Sequence, residues 1–295
     1  MPRATVPSNV GNIEIEYETF GSPTDPTVLL VMGFTAQMIA WSDDFCRALT
    51  DLGLHVVRFD NRDCGLSTKF NGAQVDVNAV VAAALMEDPI PPVPYTLSHM
   101  AGDAVGLLDH LKIERAHVLG ASMGGMIAQV MTIEHPKRVR TLTSVMSMSG
   151  EPEFGQSAPD AMNALLSVPP SDRDGYIAHS PIYQAFHSKK YRSDENSKRA
   201  AARDFDRSFY PEGAPRQLAA IYASGRRTEQ LRAIKTPTLV IHGKDDTLIT
   251  PSGGERTAEL IPNAKLELVD DMGHDLPQPL WGNFVALVAD FISQN

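Results

Sequence analysis

The chain has 295 residues, 43% of them hydrophobic and 21% charged, which suits one or two globular domains with a real core. Its formal net charge of −10 argues against nucleic acid or an anionic membrane as the main partner. No apolar stretch opens the chain, and the longest apolar run, Ala79–Met86, falls far short of the roughly 20 residues that span a bilayer, so neither a signal peptide nor a membrane span is expected.

Ile13–Glu18 alternates apolar and charged residues and reads as a half-exposed strand, paired in a hairpin with the segment around Val6. Gly21–Pro26 is a loop by its breakers. Val28–Met32 is a continuous apolar run, the pattern of a strand covered on both faces of a parallel sheet. The spacing then predicts a helix from about Trp41 to Leu52 and a strand over His55–Asp60. Residues 71–95 are less regular, and Pro89, Pro91, Pro92 and Pro94 exclude a helix at their centre. Thr96–Leu111 carries its apolar residues on one helical face, and Ala116–Gly120 is again a short buried strand. Met123–Glu134 has helical spacing closed by Pro136, and Leu142–Met148 reads as a further strand. This alternation implies an α/β chain with a parallel sheet and helices on both faces.

Composition shifts at Gly150. From Glu151 to Glu229 the chain is polar and helix-prone but holds too many aromatic and aliphatic residues for disorder, so it reads as a helical lid. The sheet resumes at Thr238–His242 and Lys265–Val269, and Phe284–Ile292 forms a terminal amphipathic helix. The expected organisation is therefore a core of residues 1–149 and 232–295 with a cap inserted at 150–231.

Between the strand at 116–120 and the helix after it stands Gly120-Ala121-Ser122-Met123-Gly124, a G-x-S-x-G nucleophile-elbow pattern. Glycines there remove the Cβ atoms that a sharp strand–helix turn would crowd. A serine hydroxyl needs a base in hydrogen-bond reach and an acid to orient that base. In an open parallel sheet both come from loops at the strands' carboxyl ends. His274 follows the strand at 265–269, and Asp245 and Asp246 follow the strand at 238–242. Asp270, Asp271 and Asp275 read as turn-formers, His242 and His117 as packed structural residues, and Asp60 and Arg62 as a hydrogen-bonded strand-end turn. Met146 and Met148, with Gly33, Phe34, Trp41 and Met123, suit an adaptable apolar pocket; core packing explains the two methionines equally well. Two cysteines, Cys46 and Cys64, and scattered histidines offer no metal-ligand spacing, so neither metal nor cofactor is expected and a cytoplasmic chain with reduced thiols is.

The order Ser122…Asp246…His274 resembles that of the α/β-hydrolase superfamily, serine esterase type, over nearly the whole chain. Within it the chain is similar to the aclacinomycin methylesterase-like group. The residues carrying that match are Leu30-Val31-Met32-Gly33, Trp41-Ser42-Asp43-Asp44-Phe45, Arg58-Phe59-Asp60-Asn61-Arg62-Asp63, Ala116–Gly120 and Pro237–Ile241. The resemblance implies the α/β-hydrolase fold, a mostly parallel twisted sheet with an inserted helical cap. It implies a cofactor-free carboxylic ester hydrolase with Ser122 as nucleophile, His274 as base and Asp246, rather than Asp245, as the orienting acid, which leaves Asp245 as a solvated loop charge. It places the oxyanion donors at the backbone N–H groups of Phe34 and Met123. Many relatives carry His-Gly where this chain has Met32-Gly33, so whatever that histidine organises must be done otherwise here. The substrate expected is a small-molecule ester with a medium-sized, moderately apolar acyl or alcohol group, acted on by a monomer or homodimer. Perhydrolysis, carbon–carbon bond hydrolysis and acyl transfer share the scaffold, and a hydrolase-fold ligand receptor is a further alternative. Ser122 argues against the relatives that use a carboxylate nucleophile.

Overall fold

The computed structural model describes residues 2–295. Strands β1 (Arg3–Ser8) and β2 (Gly11–Phe20) form an antiparallel hairpin. Then follow β3 (Thr27–Val31), α1 (Asp43–Thr50), β4 (His55–Phe59), α2 (Val77–Met86), α3 (Leu97–His110), β5 (Ala116–Ala121), α4 (Met123–Glu134) and β6 (Val139–Val145). Helices α5 (Pro159–Leu165), α6 (Arg173–His179), α7 (Asp194–Arg207), α8 (Ala214–Ala223) and α9 (Thr228–Arg232) intervene before β7 (Thr238–Gly243), α10 (Pro251–Leu260), β8 (Lys265–Val269) and α11 (Trp281–Ser293).

All eight strands of the sheet lie in the order β1-β2-β4-β3-β5-β6-β7-β8. β2 pairs antiparallel with β4, and from β4 to β8 every pairing is parallel. The α/β class, the mostly parallel sheet and the hairpin are as the sequence implies.

The central strands are apolar on both faces because both faces are covered. Val28 and Leu30 of β3 face one core with Phe45 and Leu49 of α1 and Phe284 and Val288 of α11. Leu29 and Val31 face the other core with Met100 and Leu107 of α3 and Ile127 and Met131 of α4. Each such buried side chain contributes roughly 1.5–3 kcal/mol. β3 has β4 on one side and β5 on the other, so the winding of the sheet reverses there. A crevice opens at the carboxyl ends of strands at such a point.

Two stretches depart from the sequence reading. Within 71–95, the apolar run forms helix α2, started by the Asp76 carboxylate accepting from the Ala79 N–H at 3.0 Å. The prolines exclude helix only beyond it. The strand expected at 142–148 instead occupies Val139–Val145 and stops where Met146 takes φ +40°, a left-handed conformation that cannot continue a strand. The segment between β6 and β7 is helical and begins and ends at one place. The Arg227 N–H donates to the Ser149 carbonyl at 3.0 Å, and a Cβ on Gly150 would overlap the Gly225 carbonyl. Cys46 and Cys64 are buried free thiols. Among the described residues no helix is long and apolar enough to cross a membrane.

Candidate active site

Ser122 sits between β5 and α4 with φ +57° and ψ −122°. A non-glycine residue there is strained, and strain of this kind persists only where its surroundings fix it. Here they do. The Ser122 N–H donates to the Val145 carbonyl at 2.9 Å, and the Ser122 carbonyl accepts from the Gly125 N–H at 2.9 Å and the Ser147 hydroxyl at 2.8 Å. The neighbouring glycines are steric necessities. A Cβ on Gly120 would run into the Gly124 backbone, and one on Gly124 into the Val31 carbonyl.

His274, in the loop after β8, places Nε2 2.9 Å from Ser122 Oγ and Nδ1 2.7 Å from Asp246 Oδ2. Asp246, in the loop after β7, is buried, and its Oδ1 accepts from the N–H groups of Leu248 and Ile249, each at 2.9 Å. Burial alone would raise the Asp246 pKa. The interactions with His274 and His242 outweigh it and hold the carboxyl at about 2. An ionised carboxylate only accepts hydrogen bonds, so Nδ1 carries the imidazole proton and the Nε2 lone pair faces the serine hydroxyl.

The structure thus brings Ser122, His274 and Asp246 into one hydrogen-bonded chain. Phe34 and Gly33 lie in the loop after β3, beside the serine; an atom at the Cβ position of Gly33 would stand 3.1 Å from Ser122 Cβ. Met123 is the first residue of α4, where backbone N–H groups have no acceptor within the helix. The loop that carries Met32 in place of histidine is anchored by amides. Asn61 Nδ2 donates to the Met32 carbonyl at 2.8 Å, and Gln217 Oε1, from α8, accepts from the Thr35 N–H at 2.8 Å. Gln217 Nε2 also donates to the Arg62 carbonyl at 2.8 Å. Asp60 and Arg62 are structural. Asp60 accepts from the Met38 and Leu66 N–H groups, and Arg62 forms a bidentate pair with Asp103 at 2.6 and 2.7 Å.

Ser122 and His274 open into a cavity of about 1280 Å³ between the sheet and the inserted helices. Gly33, Trp41, Met146 and Met148 all line it. Trp41 is nearly covered and stacks on Phe45 with ring centroids 5.3 Å apart. Among the described residues no three His, Cys, Asp or Glu side chains gather as a metal site.

One sequence reading is corrected. Asp245 is not a solvated charge: its side chain is only 21% exposed, and it pairs with Lys189 Nζ at 3.1 Å. The cap segment that covers it has no sequence signature. His117 is packed, its Nδ1 2.9 Å from Thr141 Oγ1. His242 is packed too, its Nε2 donating to the Ile249 carbonyl at 2.7 Å, but that nitrogen also lies 3.3 Å from Asp246 Oδ2. That second contact was missed, although the four-residue spacing from the strand's histidine to the loop carboxylate was a readable signal. Asp275, besides shaping its turn, lines the cavity and accepts from the Ser188 N–H at 2.9 Å.

A family model described as the alpha/beta hydrolase fold matches residues 26–277. The chain is 26% identical over 289 residues to the rhodomycin D methylesterase DauP of Streptomyces sp. (strain C5), covering 88% of both chains. It is 29% identical over 206 residues to the 2-hydroxymuconate semialdehyde hydrolase of Pseudomonas sp. (strain CF600), covering 65% of this chain and 66% of that one. Among solved structures, the enol-lactonase of Burkholderia xenovorans LB400 superposes with a TM-score of 0.73 at 24% identity, covering 99% of this chain and all of that one.

Proposed function

The chain belongs to the α/β-hydrolase fold family, and from that premise we propose that it is a cofactor-free serine hydrolase of carboxylic esters working through Ser122, His274 and Asp246. The observation that carries this reading is the unbroken hydrogen-bond chain from Asp246 through His274 to Ser122 Oγ at the wall of a large cavity.

In the proposed reaction His274 Nε2 takes the hydroxyl proton as Ser122 Oγ attacks the ester carbonyl. Asp246 stabilises the resulting imidazolium. The backbone N–H groups of Phe34 and Met123 hold the oxyanion, and α4 adds the positive end of its dipole. The tetrahedral intermediate collapses with His274 returning the proton to the leaving alcohol. Water, deprotonated by the same His274, then releases the acid and restores the serine. The cavity suits a small-molecule ester of moderate apolar character, because methionine, phenylalanine and tyrosine side chains from sheet and cap contribute to its wall. The similarity to a methylesterase over most of both chains supports the ester class. Carbon–carbon bond hydrolysis on the same serine is a second reading, favoured by the likeness to the semialdehyde hydrolase.

Replacing Ser122→Ala should lower kcat on short aryl esters by about 10⁴–10⁶-fold. A fluorophosphonate should label the wild-type protein at Ser122, located by mass spectrometry. An unlabelled, fully active protein would overturn the assignment.

A further inference from the structure

Among the described residues four arginines are buried in the fold, and one of them lacks an anion. Arg58 meets Glu18 and Asp43, Arg62 meets Asp103, and Arg216 meets Asp63. Arg227, 4% exposed, meets only neutral acceptors: Gln129 Oε1 at 3.2 Å, the Gly225 carbonyl at 3.1 Å and the Met148 carbonyl at 2.8 Å. Glu151, two residues beyond the Ser149 carbonyl that accepts from the Arg227 N–H, is turned to Arg256, with two contacts at 3.0 Å. Burial pushes the Arg227 guanidinium down to about 10, which still leaves it charged at neutral pH.

A buried charge without a counter-charge is costly, and an anionic ligand would supply the missing counter-charge. Arg227 lines the same cavity as Ser122, as do Met148 and Gly225, whose carbonyls hold it. The guanidinium has more N–H donors than these three acceptors use. Its partner Gln129 stands about two helical turns beyond Ser122 on α4, roughly 10 Å along the axis.

We propose that Arg227 is an anion-binding end of the cavity, so that the ester cleaved at Ser122 carries a second, ionised carboxylate several carbons from the scissile carbonyl. Met126, Met146 and Met148 line the cavity together with both ends, which suits a methylene or unsaturated chain joining an ester to an acid. The proposal rests on the ester-hydrolase reading for the identity of the reacting group. The planar, forked guanidinium would take the carboxylate in a bidentate pair, and that pair would fix which carbonyl reaches the serine.

The test is binding to the Ser122→Ala protein, which does not consume the ligand. Monomethyl and dimethyl esters of the linear diacids from succinate to sebacate are titrated by calorimetry. The half-esters of the longer diacids should bind at least tenfold more tightly than their diesters, and Arg227→Met in the same background should erase that advantage. Arg203→Ala, at a cavity arginine already paired with Asp204, should leave it in place. If Arg227→Met does not fold by circular dichroism, Arg227→Lys and the Arg227 Nε–H resonance decide: the resonance should shift with half-ester and not with diester. Equal affinity for half-ester and diester across the series, an advantage that survives Arg227→Met, or an unmoved resonance would each overturn the proposal. Since no turnover is needed, a serine found inert toward esters would refute the hydrolase reading and leave this result standing.

Discussion

The backbone N–H of His274 donates to the carbonyl oxygen of Phe186 at 2.7 Å. One end of that bond belongs to the loop after β8 and the other to the inserted helices. Neighbouring contacts extend it. The Thr247 hydroxyl donates to the Ala185 carbonyl at 3.1 Å, the Ser188 N–H to Asp275, Lys189 pairs with Asp245, and Lys190 with Asp271 at 2.5 Å. Residues 185–190 are thus sutured to the loops that carry both Asp246 and His274. The position of the imidazole depends on the cap as much as on the sheet.

These bonds differ in worth. Asp275→Ala leaves the buried N–H groups of Ser188 and Gly273 without their acceptor. It should cost about 1–3 kcal/mol in denaturant unfolding and lower kcat roughly tenfold. Lys190→Ala removes an exposed pair and should change stability by less than about 0.5 kcal/mol. Equal losses in the two variants would show that the suture does not orient His274.

Gly33 and Gly124 separate function from folding. A methyl group on Gly33 would stand 3.1 Å from Ser122 Cβ and 3.6 Å from its Oγ. Gly33→Ala should therefore lower kcat on the order of 10²-fold with a stability loss near 1 kcal/mol. Gly124→Ala drives the methyl into the Val31 carbonyl and should destabilise by more than about 3 kcal/mol, read as insoluble or unfolded protein.

Asp246 links the site to acid stability. Its folded pKa, about 2, lies below its ordinary value of 3.8. The carboxylate thus stabilises the fold fully above pH 4, and that contribution is lost as pH falls from about 4 to about 2. His242→Phe removes one of the groups holding the pKa down. Unfolding followed between pH 2 and 5 should show a smaller loss in that variant, starting near pH 4 as before but complete at a higher pH, with kcat at neutral pH reduced about tenfold as the carboxylate loses a neighbour.

His117 acts in a higher window. Burial, with Arg140 and Arg115 nearby, lowers its pKa from 6.5 to about 4. The folded protein keeps this imidazole neutral where the unfolded chain protonates it. Its contribution is complete above pH 6.5 and drains away as pH falls toward 4, by up to about 3 kcal/mol. His117→Gln should flatten stability across that interval, as measured by urea midpoints. An unchanged slope would place the acid sensitivity elsewhere.

The sheet was legible in the sequence because its central strands carry period-independent apolar runs such as Val28–Val31, and because Ser122 and Asp246 each follow such a run while His274 follows the alternating strand Lys265–Val269. Helix α2 was not, since an apolar run beside four prolines is ambiguous by pattern alone. The pairing of the half-buried Asp245 with Lys189 and the reach of His242 to Asp246 were not either. Both depend on which loop folds back over which, and no local periodicity encodes that. Arg227 is the extreme case. Sequence shows one arginine among several, and only the list of its neighbours reveals that all its acceptors are neutral.

The crossing of the chain at Gly150 and Gly225 has an evolutionary corollary. The segment between them begins and ends at adjacent backbone atoms, so its ends are already closed into a loop of nearly zero span, with α9 leading on to β7. A segment of different length or helix content can be spliced at that junction with little change in loop-closure entropy, which grows only slowly with length. The strand ends that hold Ser122 and Asp246 would feel such an exchange chiefly through the 185–190 suture. A transplanted roof that preserved those few bonds would inherit a working floor, and substrate choice could diverge while the sheet beneath it stood still.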